Sequence, residues 1–560
     1  MKLAQFFVKG VFCTSMLAIS LLGKAAIGDS GDHHSKIVTS QVDAQTLAKH
    51  PTWRRLLFLP KVPQAYEKSE ITQSNFFLVH GDVVNPQAEL QAIIQALSVN
   101  DLTVICQFPA RAAFVSHQIG ISFDDEQCHD FSVWQSQMGL DELALVFASE
   151  HSENLASAFA HVFIRASDKG AWHDTSINYT VSTNPSDSKA LALTKALTGR
   201  SPMVLQIMPY TKKTEQYLSD GRDVWVYPLD LTSDEVRQIM RHIYETRALN
   251  RPYFFTHKNC ATEILRLIDV VRTDQNLADS SGKITTPSEI ARLLTEHGMI
   301  ASREFISSEV TKAQANFKKD ITQSYLNQKD PALSAPMHRI GVGVAKVQAD
   351  TAYTLSIKGA YHDLLDRPQG VRQFHDLSLL TADIAWQHQQ GPSLESFRLL
   401  STRSYHPDDD RPSHGIHLGL IKAVDASNTD NTRHLVLDAR QEKGKAWVVG
   451  VDGLQTLMCH AFLIKGVQLG NINQGYRVGI GANAGCAYVG NRYRMTGEME
   501  LPIWLHPDKS ASRSVYVQPT VKVAAQYDIN QNEAVRLTGK LSKNNAHTDN
   551  DVTLQYLKYF

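Results

Sequence analysis

From about Pro336 to Phe560, apolar and polar residues alternate with a period of two. Tyr353, Leu355, Ile357, Gly359 and Tyr361 interleave with Thr354, Ser356, Lys358 and Ala360. Val535, Leu537, Gly539 and Leu541 do the same with Arg536, Thr538, Lys540 and Ser542. Val515, Val517, Val521, Val523 and Tyr527 form another such run, and Tyr476, Val478, Ile480, Ala482 and Ala484 another. Successive strand side chains point to opposite faces, so each run predicts a strand with one apolar side. About twelve such runs, each roughly as long as the ~10 residues a tilted strand needs to cross a bilayer, predict an antiparallel β-barrel.

The last run, Val552, Leu554, Tyr556 and Phe560, ends on an aromatic residue. That ending resembles the assembly signal of bacterial outer-membrane barrels, with Lys558 departing from it at a position usually apolar. A soluble β-sandwich shows the same alternation, but the strand count, the terminal phenylalanine and the export signal described below favour the barrel.

The two preceding regions follow other periods. Between about Gln41 and Asp130 the spacing is mostly helical: Trp53, Leu56 and Leu57 recur at helical intervals, and Asn85-Pro86 opens a helix with Glu89 in its first turn. Leu102 to Cys106 reads as a strand. Between about Phe131 and Asn327 the pattern is mixed. Leu143 to Phe147 and His161 to Ile164 read as strands, while Thr232 and Glu235 form a capping box before Val236, Ile239, Met240 and Ile243. A second helix follows Asn259-Cys260, burying Ile264, Leu267, Ile268 and Val271. The expected fold is α+β: residues 27–130 a small, mostly helical module, 131–327 a mixed domain, and 336–560 the barrel.

Lys2 and Lys9, the apolar stretch Val11 to Leu22 and the small residues around Gly23 to Gly28 have the layout of a secretory signal over residues 1–26. Charge is balanced, with 56 Lys and Arg against 57 Asp and Glu. A protein that lives by neutralising phosphates usually carries a basic excess, so nucleic acid is not an expected partner. Hydrophobic residues make up 43% of the chain, enough for folded domains rather than disorder.

Cysteine usage sharpens this picture. Removing the signal takes Cys13 with it and leaves five cysteines in an oxidising compartment. Cys106 and Cys128 lie in one segment. Cys459 and Cys486 flank a hairpin turn near Asn471 to Gly475, on strands whose parity sets them opposite each other. Cys260 is the odd thiol. It sits at the first turn of an amphipathic helix, behind the aromatic run Tyr253-Phe254-Phe255. A helix N-terminus favours a thiolate, and its N–H groups can hold an oxyanion. Buried cysteines at helix starts are nonetheless commonly inert.

A thiol nucleophile needs a base. His161, at the start of an apolar strand after the small-residue loop Asn154 to Ala160, is the favoured candidate, and His257 competes by nearness in sequence. Asn178, on the next strand, could fix the imidazole. Asn259 and Tyr253 stand as supporting residues on the oxyanion side.

Ser152 to Arg165, Arg222 to Tyr227 and Phe254 to Cys260 resemble the DUF4105 family, the Lnb N-terminal periplasmic domain of bacterial envelope proteins. Phe76-Phe77, Asn85-Pro86 with Glu89-Leu90, and Cys106 to Arg111 resemble the helical module that precedes it in many members. The resemblance implies a permuted papain-like (NlpC/P60-related) thiol domain with histidine ahead of cysteine, matching His161 and Cys260. It also implies lipoprotein N-acyltransferase chemistry, the activity of the family's namesake. The family usually has glycine before the histidine; this chain has Ala160, whose methyl would crowd the approach of a substrate.

Two readings follow. One is a cysteine-nucleophile acyltransferase or hydrolase acting on a lipid, lipoprotein or peptide, held at the outer membrane by its barrel with the other domains in the periplasm. The other is a catalytically degenerate binding and anchoring protein. Asp32-His33-His34 reads as a terminal segment and Asp408 to Asp410 as a loop cap. No metal or other cofactor is expected, because no Cys/His spacing suits structural zinc and no glycine-rich phosphate loop is present.

Overall fold

In a computed structural model of the chain, the described residues run from 44 to 560, less 64–67, 82, 151–159, 169–173, 183, 283, 310, 312–325, 328, 348–349, 389–390, 408–410, 426–431, 453–454, 473–474, 506–514 and 545–546. The signal, Asp32-His33-His34, most of the loop before His161 and Asp408 to Asp410 lie outside them.

The N-terminal helices start where the sequence supplies caps. Asn85 accepts hydrogen bonds from the Gln87 and Ala88 N–H groups ahead of the helix Pro86–Ser98, whose Leu90, Ile93 and Leu97 are buried. Leu102 to Cys106, expected as a strand, is the helix Leu102–Gln107 instead. Asp101 caps it, accepting from Thr103 and Val104, and that local bond outweighs the β preference of Thr103, Val104 and Ile105. Cys106 is joined to Cys128.

This module docks through charge as well as apolar surface. Arg111 is fully buried between the Phe76 and Phe108 rings, 4.2 Å from each centroid, and pairs with Glu89 (3.4 Å) and Glu245 (3.5 Å). Glu245 also accepts the N–H groups of Ala110 and Arg111 at the start of the helix Pro109–Ile119. Arg266 grips Glu70 through two bonds of 2.6 and 2.8 Å.

The middle region is built on seven antiparallel strands: β1 (Glu142–Ala148), β2 (His161–Ser167), β3 (Thr175–Val181), β4 (Ser201–Pro209), β5 (Val224–Pro228), β6 (Arg251–Tyr253) and β7 (Glu304–Ile306). Their order is β6-β4-β3-β2-β1-β5-β7. Strand alternation gives this sheet two apolar faces. Leu145, Phe147, Val162 and Ile164 face one core, together with the helices Ser233–Thr246 and Cys260–Asp269. Val146, Phe163 and Val226 face a second core under the helix Tyr210–Ser219.

The C-terminal region is a closed barrel of twelve antiparallel strands. They are β8 (Arg339–Val347), β9 (Asp350–Ala360), β10 (His375–Gln387), β11 (Gly391–Ser404), β12 (Ser413–Val424) and β13 (Arg433–Asp452), then β14 (Gln455–Gly470), β15 (Tyr476–Val489), β16 (Tyr493–Leu505), β18 (Thr520–Asp528), β19 (Glu533–Asn544) and β20 (His547–Tyr559). The short β17 (Val515–Val517) also pairs with β16, and Pro519 separates it from β18. Pairing of β15 with β16 and of β20 with β8 closes the ring. Cys459 lies opposite Cys486 and is bonded to it.

The outward side chains form an apolar belt that includes Val342, Val344, Leu463, Val478, Ile480, Val523, Leu537 and Leu554. Tyr488, Tyr493, Tyr527 and Tyr556 cluster at the end of the barrel that carries the chain's C-terminus, as in an aromatic girdle. Lys558 stands opposite Glu533 and pairs with it at 2.9 Å, which accommodates its departure from the apolar pattern. No helix among the described residues is long and apolar enough to cross a membrane; the barrel crosses with strands.

Inside, the barrel is laced. Arg403 on β11 pairs with Glu498 on β16, five strands around the ring (2.7 Å). Arg433 on β13 pairs with Asp551 on β20, six strands around (2.9 Å). The loop after β9 folds into the lumen, where Asp363 and Asp366 meet Arg339, Lys358 and Arg536, and Tyr559 donates to Asp366.

Candidate active site

Cys260 begins its helix because Asn259-Cys260-Ala261-Thr262 is a complete capping box. Asn259 Oδ1 accepts from the N–H groups of Ala261 (3.0 Å) and Thr262 (3.2 Å), and Thr262 Oγ1 accepts the Asn259 N–H (2.9 Å). The Asn259 amide nitrogen donates to the carbonyls of Phe255 and Thr285, both at 2.9 Å. Its side chain is fully used in fixing the helix start, so it supports the site without a donor to spare for an oxyanion.

The thiol is 7% exposed and shares a core with Ala160, Val162, Ala261 and Ile264. Burial pushes it up to about 11, while the N–H groups of Val162, Ala261 and Cys260 itself, with Arg222, act in the opposite direction. The Ala160 methyl, where the resembled family has glycine, projects into this same core.

His161 lies on the other side of the sheet. It is the first residue of β2, opposite Ala148, and alternation places it with Phe163 rather than Val162. Its ring stands 6.1 Å from that of Phe163 and 6.2 Å from that of Tyr217. Burial, then the charges of Arg222 and Lys213, push the imidazole down to about 3, with Asn178 opposing. The ring is neutral at physiological pH, and no hydrogen bond joins it to Cys260.

Asn178 is buried on the His161 side. Its amide nitrogen donates to Ser176 Oγ (3.2 Å), and its side-chain carbonyl oxygen has no hydrogen-bond partner among the described residues. The structure thus brings Asn178 to His161 and Val162 to Cys260, with the backbone of β2 between the two pairs. His257 is exposed and bonded to Thr256 Oγ1 at 2.8 Å, so it is not placed to serve the thiol. Tyr253 stands near Cys260, and burial raises its phenol. Gly199 (φ +71°) positions the aromatic run beside it, because the Phe254 ring occupies the space a Cβ would take.

Sequence reasoning overlooked two neighbours. Arg222 donates to the carbonyls of Ser149 (2.6 Å) and Ala148 (3.1 Å), covers the Tyr217 ring at 4.6 Å, and acts electrostatically on both Cys260 and His161. Its segment was conspicuous in the sequence, but its role was not. The second is Tyr361, read as the end of a strand. β9 stops at Ala360, and Tyr361 turns away with φ +67°. It packs at the barrel end with Phe255 and Ile284 of the middle domain, near enough to Glu150, Tyr253 and Cys260 for their charges to act on its phenol. Arg372, in the same loop, donates to the Glu150 carbonyl.

Three family models match separate stretches of the chain. Residues 130–297 match the family model described as the Lnb N-terminal periplasmic domain. Residues 45–118 and 328–559 match two domains of unknown function, DUF7843 and DUF7840. No curated protein matches the chain. Among solved structures it is similar to the NanC porin (7% identity, TM-score 0.25, 40% of this chain and 99% of that one). It is also similar to the KdgM porin (10%, 0.23, 40% and 99%) and to a loop-deleted OmpT of Vibrio cholerae (7%, 0.20, 40% and 97%). The closed barrel with its apolar belt and the periplasmic-domain match over residues 130–297 together make this an outer-membrane protein with periplasmic domains.

Proposed function

We propose that the chain is a thiol acyltransferase or hydrolase of the cell envelope, with a permuted papain-like middle domain tethered by its barrel. The observation that supports this best is the free Cys260 thiol at the first turn of a capped helix, inside the stretch that matches the Lnb N-terminal periplasmic domain. Cys260 attacks the carbonyl of an ester or amide in a lipid, lipoprotein or peptide. The thiol proton passes to a base and then to the leaving group. The resulting thioester is released to an amine in a transferase or to water in a hydrolase. His161 is the base in this reading and Asn178 its positioning residue. To act, the imidazole must leave its stack on Phe163 and its tilted contact with Tyr217.

That stack favours a second reading, a degenerate domain that binds a partner while the barrel anchors it. A thiol-reactive acyl probe on the full-length protein separates the two. Labelling of Cys260 that is lost in both Cys260→Ala and His161→Ala supports catalysis. Labelling that is absent, or that survives His161→Ala, sinks the assigned pair.

A further inference from the structure

The barrel encloses a cavity of about 470 Å³ whose charges do not all find partners. Most of its lining is paired. Glu395 takes Lys422, Glu500 takes Arg440, and Glu442 and Glu498 share Arg403. Lys522 and Lys540 are different. They lie directly opposite each other on β18 and β19, both open to the cavity, and neither has a hydrogen bond or ion pair among the described residues.

The acids across from these lysines make their bonds to arginines instead. Glu498, across from Lys522, accepts from Arg403 at 2.7 Å. Asp551, across from Lys540, receives both bonds of Arg433 at 2.9 and 3.0 Å. Arg433 and Arg440 are also close enough for their charges to reach Lys540. Asp376 is the counterweight, but it sits toward the inserted loop, within reach of Arg403. Like charges directly opposite on neighbouring strands destabilise a sheet, so two facing ammonium groups, neither with a bonded acceptor, stand ready to share an anion in a water-accessible space.

We propose that this cavity is a binding site for a multivalent oxyanion, bridged by Lys522 and Lys540. Phosphate and carboxylate oxygens both match two ammonium groups at cross-strand spacing, and the volume lies within the range of small-molecule pockets. The site is independent of the thiol domain and stands whether or not Cys260 is a nucleophile.

The test is calorimetric titration of the full-length protein in detergent, at low ionic strength, with inorganic pyrophosphate in one arm and citrate in the other. Saturable binding of pyrophosphate alone assigns phosphate chemistry, of citrate alone carboxylate chemistry, and of both a general oxyanion site. In each case Lys522→Gln/Lys540→Gln should weaken binding at least tenfold, with the single Lys522→Gln variant between. Lys443→Gln/Lys445→Gln, on the outer face, should bind as the parent does. Heat-modifiable gel migration checks that every variant is folded. No saturable binding by the parent in either arm, or unchanged binding by a folded double variant, overturns the proposal.

Discussion

Val162 shares a buried core with Cys260, while one residue earlier the imidazole of His161 stacks on Phe163 across the sheet. A single strand therefore presents one side chain to the core of the thiol and its first side chain to the opposite core. The thiol in this arrangement is buried and protonated.

Alkylation should show this. With the Cys260 thiol pushed up to about 11, only about 1% is thiolate at pH 9. Iodoacetamide labelling of the native protein should be slow at neutral pH and rise about tenfold per pH unit up to pH 10. Urea-unfolded protein should react at once. A plateau in the native profile near pH 8.5 would show an ordinary exposed thiol.

Much of this was legible in the chain. Alternation from Pro336 onward carried the barrel, because its side chains have only lipid or lumen to face. The two cysteine pairs and the odd thiol followed from arithmetic and parity. Parity also held the face of His161: Val162 and Ile164 are the apolar partners of the Cys260 helix, which leaves His161 and Phe163 for the other side. Attention to the histidine-then-cysteine order hid that. Leu102 to Cys106 misled because a single Asp101 cap decides between two conformations that its β-branched residues do not separate. The inward fold of the loop after β9 was not legible, since Asp363 and Asp366 find their cations only once distant strands have met.

Arg111 anchors the helical module. Replacing it with Ala strands Glu89 and Glu245 in an apolar site and removes the cation between Phe76 and Phe108. Loss of one partner from a buried pair costs about 3–5 kcal/mol. Hydrogen exchange in residues 86–119 should accelerate strongly, while exchange in the barrel stays as it was.

Acid should loosen the same module. Burial alone would raise the Glu70 carboxyl, but the two bonds to Arg266 and the charge of Lys258 outweigh it and hold it at about 2. A carboxyl lowered on folding stabilises fully above its ordinary value of 4.5, and that contribution is lost as pH falls toward 2. Proteolysis near Glu70 should increase over that window, and Glu70→Gln should flatten the dependence.

The laced lumen makes a prediction about transport. With Arg403–Glu498 and Arg433–Asp551 crossing it and the loop after β9 folded in, the parent protein should show little conductance in planar bilayers. Arg403→Ala frees Glu442 and Glu498 together, and its conductance should rise several-fold. A large, steady parent conductance would refute the sealed lumen.

Tyr361 links the two halves in time as well as in space. It is a barrel residue by sequence, yet it packs in one cluster with Phe255 and Ile284 of the middle domain, so this contact exists only when the end of the barrel is in place. Seating of the middle domain and completion of the barrel become one event, and any chemistry at Cys260 would take place on a domain already anchored.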